Sequence, residues 1–114
     1  MDGDCIFCLI GGGEAESDVL YQDDDCFVIR DIAPKAPVHL LVIPSGHFTY
    51  LTELTPEHYR MIGAMFKTAE KMSREQGLGA SGYRLVINQG DDAGQQVPHL
   101  HLHVLGGRPL SGMG

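Results

Sequence analysis

The feature that most constrains this chain is a segment near its C-terminus in which histidine and apolar residues alternate without a break, from His99 to Leu105. Because successive side chains of a β-strand point to opposite faces, this alternation predicts a strand that carries His99, His101 and His103 on one face. Imidazoles on one face of a strand stand about 6–7 Å apart, so the outer rings can support the middle ring while its free nitrogen faces a substrate. Half of the six histidines of the chain lie in the five residues from His99 to His103. We therefore expect chemistry here; the alternative is a half-buried strand whose polar face happens to be histidine.

Length and charge limit the classes of protein to which the chain can belong. Its 114 residues predict one domain, residues 1–114, with a single core. A formal net charge of −7 leaves no basic surface for the backbone of polymeric nucleic acid or for acidic lipid. The chain has no apolar stretch near the roughly 20 residues of a membrane span, and its first residues do not resemble a signal peptide. We expect a cytoplasmic protein whose partners are neither nucleic acid polymers nor membranes.

The three cysteines predict reduced thiols, because their number is odd and no export signal precedes them. Cys5 and Cys8 have the spacing of a metal-binding knuckle, but a zinc site needs four ligands and the chain has no second cysteine pair. Either histidines complete such a site or the two thiols hold no metal. Cys26 lies in an apolar run and is expected to be a buried, inert thiol.

Hydrophobic patterns predict an α+β fold with a mainly antiparallel sheet of about five strands, one short helix and one long helix. The short helix is expected at residues 4–10, with Asp4 as its acidic cap, inside an N-terminal Cys-x-x-Cys segment that ends at residue 13. The predicted strands are residues 19–22, 26–31, 38–44, 83–88 and 99–105.

The long helix has a clear start signal. Thr55 can cap it and Pro56 can take its first helical position, while Leu54 can pack on Tyr59. Gly77 ends the helix. A stripe of residues at helical spacing is expected to face the core, namely Tyr59, Ile62, Met65, Phe66, Ala69 and Met72.

Residues 94–105, a Gly-Gln loop followed by the alternating histidines, resemble the signature of the histidine triad (HIT) superfamily. The resemblance covers nearly the whole chain, from Cys5 to Arg108. It implies a single domain of the HIT-like fold with a C-terminal tail, residues 107–114, and a homodimer whose two chains join their sheets. Further segments are similar to the Hint branch, the purine nucleoside phosphoramidases, at residues 6–7, 21–24, 30–32, 36–39, 42–44, 88–90 and 104–108.

This resemblance implies a hydrolase that cleaves a purine nucleoside phosphoramidate, which is adenosine or guanosine monophosphate linked to an amine, through a covalent nucleotidyl-histidine. It makes His101 the nucleophile, gives His103 a hydrogen bond to the phosphate and places His39 behind them as a supporting residue. Imidazole suits this reaction because it is neutral near pH 7 and can later depart from phosphorus. In the alternative interpretation, His39 is only a satisfied core histidine.

The resemblance also assigns the residues that bind the nucleotide. Asp31 matches a carboxylate that takes both ribose hydroxyls and so selects ribose over deoxyribose, although Asp is also a common turn residue. Amides and loop N–H groups would stabilise charge on the phosphoryl oxygens. The phosphate is assigned to Asn88, Gly94, Gln95, Gln96 and Val97, and the purine to Ile6, Phe7, Ile10, Ile32 and Leu41, which would otherwise be ordinary core.

Similarity to some bacterial relatives completes the metal site. In them, an N-terminal Cys-x-x-Cys joins a histidine after Val-Ile-Pro and the first histidine of the triad, which here gives Cys5, Cys8, His47 and His99. Two cysteines and two histidines form a closed zinc site of structural type, and no organic cofactor is expected. The alternative is a pair of reduced thiols with His47 on a solvated turn.

The chain departs from the Hint pattern at two places. Gln96 stands where the pattern has a hydroxyl residue, and the tail has no Trp, so the preferred amine does not transfer from the resemblance. Three alternatives remain open: a dinucleoside polyphosphate hydrolase, a nucleotide-binding regulatory module with incidental turnover, and a zinc hydrolase that uses all three triad histidines as ligands. The zinc hydrolase is the weakest of these, because its metal would coordinate His101, which could then no longer act as the nucleophile.

Overall fold

Five antiparallel strands form one sheet in the computed structural model, which describes residues 5–114. The strand order is β1-β2-β3-β5-β4, so the last strand in sequence lies between β3 and β4. The predicted α+β class with a mainly antiparallel sheet is confirmed. The strands are β1 (Val19–Gln22), β2 (Cys26–Arg30), β3 (Val38–Pro44), β4 (Tyr83–Val86) and β5 (Leu102–Gly106).

The predicted strand boundaries are too long at the triad. β5 begins at Leu102 rather than at His99, and β4 ends at Val86 rather than at residue 88. The reason is that the backbone before Leu102 pairs with loops: the N–H of His99 donates to the Val97 carbonyl and the N–H of Leu100 to the Phe48 carbonyl. The first two triad histidines therefore lie in the segment that leads into β5.

One face of the sheet is covered by the long helix α2 (Tyr59–Glu75), which follows a short 3-10 turn at Pro56–His58. Met65, Ala69 and Met72 are buried against the sheet, as predicted. The prediction that Tyr59 and Phe66 also face the core is wrong, since they are 63% and 42% exposed. At 100° per residue, both lie roughly 90° or more from the centre of the stripe that the three buried residues define.

The opposite face of the sheet carries the short helix α1 (Ile6–Gly11). The Asp4 cap predicted for this helix lies outside the described residues; the residue at the cap position is Cys5, whose Sγ accepts a hydrogen bond from the backbone N–H of Cys8 at 3.4 Å. Phe7 and Ile10 pack on this face in a second apolar cluster, with Phe27, Ile29, Leu41 and Ile43. Within residues 5–114, no helix has the length and apolar composition needed to cross a membrane.

Candidate functional site

A pocket of about 780 Å³ opens on the α1 face of the sheet. It runs from α1 across β2 and β3 to His101 and His103 and on to β4. Most residues predicted to bind or react line it: Ile6, Phe7, Ile10, Asp31, Ile32, His39, Leu41, Asn88, Gly94, Gln96, Val97, His101 and His103. Among the residues assigned to catalysis or nucleotide binding, Gln95 does not line the pocket.

His101 is held in one orientation by its backbone neighbour. Its Nδ1 lies 2.7 Å from the carbonyl oxygen of His99, and its ring meets the Phe7 ring edge-on with 5.1 Å between centroids. A ring nitrogen that faces a carbonyl must carry the proton, so Nδ1 donates this bond. In the neutral ring, Nε2 then keeps its lone pair. His101 is 8% exposed, so this nitrogen belongs to a ring that is both buried and fixed.

A chain of hydrogen bonds fixes the protons of His39 and His103. The backbone N–H of Lys35 donates to Nδ1 of His39 at 3.0 Å, which places the proton of the neutral His39 ring on Nε2. That nitrogen lies 2.9 Å from Nδ1 of His103, so His39 donates and His103 accepts. The remaining proton of His103 therefore lies on Nε2, where it is a donor for an anion.

Burial keeps both of these rings neutral. It lowers the pKa of His39 below its usual range, with a further lowering by the Lys35 charge that Asp31 opposes. For His103, burial together with the neighbouring His101 and His39 lowers the pKa to about 4, again against the attraction of Asp31. At neutral pH the two rings act as the uncharged donor and acceptor that the distances require.

Asp31 also contacts the hydrogen-bonded pair His39 and His103, and the sequence did not predict this contact. It directly follows β2, and its backbone N–H donates to the His39 carbonyl at 3.0 Å. Its Oδ1 accepts from the N–H of Ala33 at 2.8 Å, and its Oδ2 lies 3.3 Å from Nε2 of His39. Antiparallel pairing of predicted strands that end at Asp31 and begin near His39 would have placed these two residues opposite each other.

Gln95 is occupied in holding its own loop. Its Oε1 accepts from the N–H of Gly90 at 2.8 Å, and its Nε2 donates to the Thr49 carbonyl at 3.1 Å. The loop turns at Gly94, which has a φ of 77° that favours glycine. The neighbouring residues Gln96 and Val97 line the pocket. Gln95 does not line it and stabilises the loop through these two hydrogen bonds.

The predicted metal ligands come together beside α1. Their ligand atoms all lie within 4.8 Å of one another. Nδ1 of His99 is 3.2 Å from Sγ of Cys5 and 3.6 Å from Sγ of Cys8, and Nδ1 of His47 is 3.2 Å from Sγ of Cys8. A tetrahedral zinc with sulfur and nitrogen ligands needs ligand atoms about 3.5 Å apart. Nε2 of His99 lies 3.1 Å from the Pro44 carbonyl and so donates, which places the lone pair of the neutral ring on Nδ1, the atom that faces the thiols.

A second group of possible ligands, Asp31, His39 and His103, also lies within 4.8 Å. Its atoms are those of the hydrogen-bond chain, and the Lys35 N–H leaves His39 with a protonated Nε2 rather than a lone pair. Within residues 5–114, no cluster of possible metal ligands contains all three triad histidines. The geometry therefore argues against a zinc hydrolase built on the triad.

The chain is similar to known proteins along nearly its whole length. The model of the HIT domain matches residues 12–110. The sequence is 46% identical to an HIT-like protein of Synechococcus elongatus over 97% of this chain and 96% of that protein. It is 41% identical to the purine nucleoside phosphoramidase of Escherichia coli strain K12, over 99% of this chain and 95% of that enzyme.

Solved structures show the same similarity. A HIT family hydrolase from Legionella pneumophila superposes with a TM-score of 0.92 at 38% identity, covering 95% of this chain and 96% of that one. A zinc-bound histidine triad family protein from Mycobacterium smegmatis superposes with a TM-score of 0.80 at 38% identity, covering 95% of this chain and 78% of that one. The HIT-like fold expected from the sequence is confirmed.

Proposed function

The chain belongs to the HIT family of hydrolases, and we propose that it cleaves purine nucleoside phosphoramidates to a nucleoside monophosphate and an amine. The observation that carries this proposal is the hydrogen bond from Nδ1 of His101 to the His99 carbonyl. It turns a buried imidazole into a nucleophile with one available nitrogen, beside an apolar slot of a size suited to a nucleoside. The similarity to an enzyme named purine nucleoside phosphoramidase supports the choice of substrate.

In the first step, Nε2 of His101 attacks the phosphorus and the P–N bond breaks. The bonding pair leaves with the amine nitrogen, which takes up a proton from water. In the second step, water attacks the phosphorus, the bond from phosphorus to Nε2 breaks, and the water proton passes to solvent. The net reaction consumes one water, and His101 returns to its neutral form with Nδ1 still donating to the His99 carbonyl.

Negative charge on the phosphoryl oxygens is met by donors whose direction is already set. The Nε2 proton of His103 is one, because Nδ1 of this ring is held by His39. The amide of Asn88 and the N–H groups of Gln96 and Val97 are the others, in our proposal, because the N–H groups of Gly94 and Gln95 already donate to the Asp91 and Gly90 carbonyls. Donors that need no reorientation during the reaction are the most effective means of stabilising a phosphoryl transition state.

In our proposal, the nucleoside half of the substrate lies on the opposite side of His101 from these phosphate donors. Phe7, Ile10 and Leu41 offer a slot for the purine, and the Asp31 carboxylate at its rim accepts the two ribose hydroxyls. Ile32 lines the rim but is 97% exposed, so it contributes little to an empty slot and would be covered only by the ligand.

Replacing Asp31 with alanine should weaken the binding of adenosine monophosphate by about tenfold or more, and that of the dideoxy nucleotide much less. Only the ribonucleotide offers the two hydroxyls. Calorimetric titration of both nucleotides measures the difference. Because Oδ1 also holds the turn at Ala33, Asp31→Asn serves as the shape-preserving variant. Equal losses for both nucleotides in both variants would make Asp31 a structural residue only.

Cys5, Cys8, His47 and His99 would hold zinc, in our proposal. When bound, zinc would act as a structural cross-link between α1, the segment that follows β3 and the segment that precedes β5. Its role is limited to stability because His101 is not among the ligands. The similarity to a zinc-bound relative supports this assignment.

We also propose that two copies associate through β4 and the adjoining side of α2. β4 is an edge strand, and its Tyr83 and Leu85 are 37% and 36% exposed on the α2 face of the sheet. Tyr59 and Phe66 of α2 form an exposed apolar stripe. A second copy would cover both the free edge and these side chains. Sedimentation equilibrium should give twice the chain mass of 12.4 kDa, and a mass of 12.4 kDa would contradict the dimer.

The purified protein should release adenosine monophosphate from adenosine 5′-phosphoramidate in a reaction that a chelator does not stop. A brief reaction quenched in base should carry a nucleotidyl group on the peptide that contains His101, because a phosphorus–nitrogen bond to histidine is labile in acid. Mass spectrometry of the digested protein detects it. Tight nucleotide binding without release of product would instead identify a regulatory binding module.

A further inference from the structure

The proton on Nε2 of His39 has two acceptors beside it. The backbone N–H of Lys35 donates to Nδ1 of this ring at 3.0 Å, so the neutral ring has only this one proton to donate. Nε2 lies 2.9 Å from Nδ1 of His103, to which it donates, and 3.3 Å from Oδ2 of Asp31. A charged carboxylate accepts a hydrogen bond more strongly than a neutral imidazole does. The Asp31 carboxylate therefore competes with His103 for the proton of His39.

The backbone holds the competing groups in place. The N–H of Asp31 donates to the His39 carbonyl at 3.0 Å, which ties the end of β2 to β3. Oδ1 of Asp31 accepts from the N–H of Ala33 at 2.8 Å, so the carboxylate keeps its other oxygen near His39. The His39 side chain is only 3% exposed, whereas that of Asp31 is 19% exposed and lines the pocket. A ligand therefore reaches the carboxylate more readily than it reaches the His39 ring.

The charge of Asp31 also acts on both imidazoles. It favours their protonated forms, and so it opposes the lowering of the pKa that burial causes in His39 and in His103. Hydrogen bonds that a ligand donates to the carboxylate would compensate part of this charge. The pull of Asp31 on the His39 proton would then weaken. A neutral donor bound to Asp31 thus leaves the proton of His39 more fully to His103.

The two ribose hydroxyls are donors of this kind. Hydrogen bonds in a series polarise one another, so a stronger bond accepted at Nδ1 of His103 makes its Nε2–H a stronger donor. That N–H is the group assigned above to the phosphoryl oxygens. Ribose binding at Asp31 would therefore strengthen the stabilisation of charge at the phosphorus, through the bond from His39 to His103.

We propose that Asp31 is a positioning residue that makes kcat depend on the ribose, because bound ribose hydroxyls commit the proton of His39 to His103. This inference rests on the proposed function, and it extends the role of Asp31 from affinity to rate. Binding energy from a part of the substrate that does not react is used at the reacting phosphorus. Ribonucleotides are then selected over deoxynucleotides in the chemical step as well as in binding.

The kinetic test uses adenosine 5′-phosphoramidate and its 2′,3′-dideoxy counterpart, which share the P–N bond that breaks. In the wild type, kcat for the dideoxy compound should be roughly two- to tenfold lower, the effect of weakening one buried hydrogen bond by about 10–30%. Asp31→Asn removes the competing charge, so it should raise kcat for the dideoxy compound toward the value for the adenosine compound. A residue that only binds ribose, or only holds the turn at Ala33, would give no such rise. KM for the adenosine compound should increase.

Asp24→Asn is the matched control, because Asp24 is an exposed carboxylate in the turn between β1 and β2 and does not line the pocket. It should keep the wild-type ratio of the two kcat values. Equal kcat for the two compounds in the wild type would overturn the proposal. So would a lower kcat for the dideoxy compound in Asp31→Asn than in the wild type.

Nitrogen-15 NMR of His103 measures the same effect without turnover. In the His101→Gly variant, adenosine monophosphate should move the Nδ1 resonance of His103 further upfield than the dideoxy nucleotide does, because a ring nitrogen is shielded when it accepts a stronger hydrogen bond. The same position with both bound nucleotides would overturn the proposal. If the wild-type protein hydrolyses neither compound, the proposed function fails, and the NMR comparison still decides whether ribose binding reaches His103.

Discussion

His101→Gly should lower kcat for phosphoramidate hydrolysis by at least about 1,000-fold while the affinity for adenosine monophosphate stays near the wild-type value. The variant removes the pocket ring whose Nε2 carries a lone pair for attack, because its Nδ1 donates to the His99 carbonyl. Phe7, Asp31 and the donors of the loop are untouched, so the nucleotide still has its slot. Steady-state hydrolysis and calorimetric titration measure the two effects on the same preparation.

The cavity left by the imidazole provides a specific check on this result. Free imidazole added to His101→Gly should restore part of the turnover, since it can occupy the vacated space and attack the phosphorus. His58→Ala is the control, because His58 lies outside the pocket and contacts Thr55 and Phe48. Turnover in His101→Gly close to that of His58→Ala would end the assignment of His101 as nucleophile.

Removing the two thiols of the metal cluster should have the largest effect on stability. Protein purified without chelator should carry about one zinc per chain. The double variant Cys5→Ser with Cys8→Ser should lose it and melt at least about 10 °C lower. The cluster joins α1 to residues that lie 39 to 94 positions further along the chain, so its loss frees the wall that carries Phe7. Turnover at low temperature should fall much less than stability.

A chelator offers an independent route to the same state. Treated wild-type protein should melt near the temperature of the double variant, and added zinc should restore only the wild type. Elemental analysis that finds no metal in protein expressed with ample zinc would refute the site. Loss of metal that stops turnover and leaves the melting temperature unchanged would favour a catalytic metal instead.

The alternation from His99 to Leu105 marked the three histidines as a candidate site, but it did not predict the different partners of their three rings. A strand pattern states which face a side chain takes. It does not state that the His99 ring turns to the thiols, that His101 turns to a carbonyl and that His103 turns to His39. These contacts depend on loops and on a distant strand, which local periodicity does not encode.

The other differences have the same origin. Gln95 lies in a sequence that resembles a phosphate loop, yet its amide is used by Gly90 and Thr49, residues whose proximity depends on the folded loop. Tyr59 and Phe66 fit a helical stripe, but the width of the face that a sheet can cover is set by tertiary packing. Apolar residues just outside that width stay exposed.

The position of β5 also bears on how the protein is made. The first three strands are consecutive neighbours and can pair as they leave the ribosome, whereas β4 has no partner until β5 has been synthesised. β5 and the residues just before it also carry the three histidines of the triad. The strand that joins β3 to β4 and the proposed nucleophile, His101, are therefore synthesised together. A nascent chain that stops before residue 101 is therefore expected to have an open sheet and no hydrolase activity.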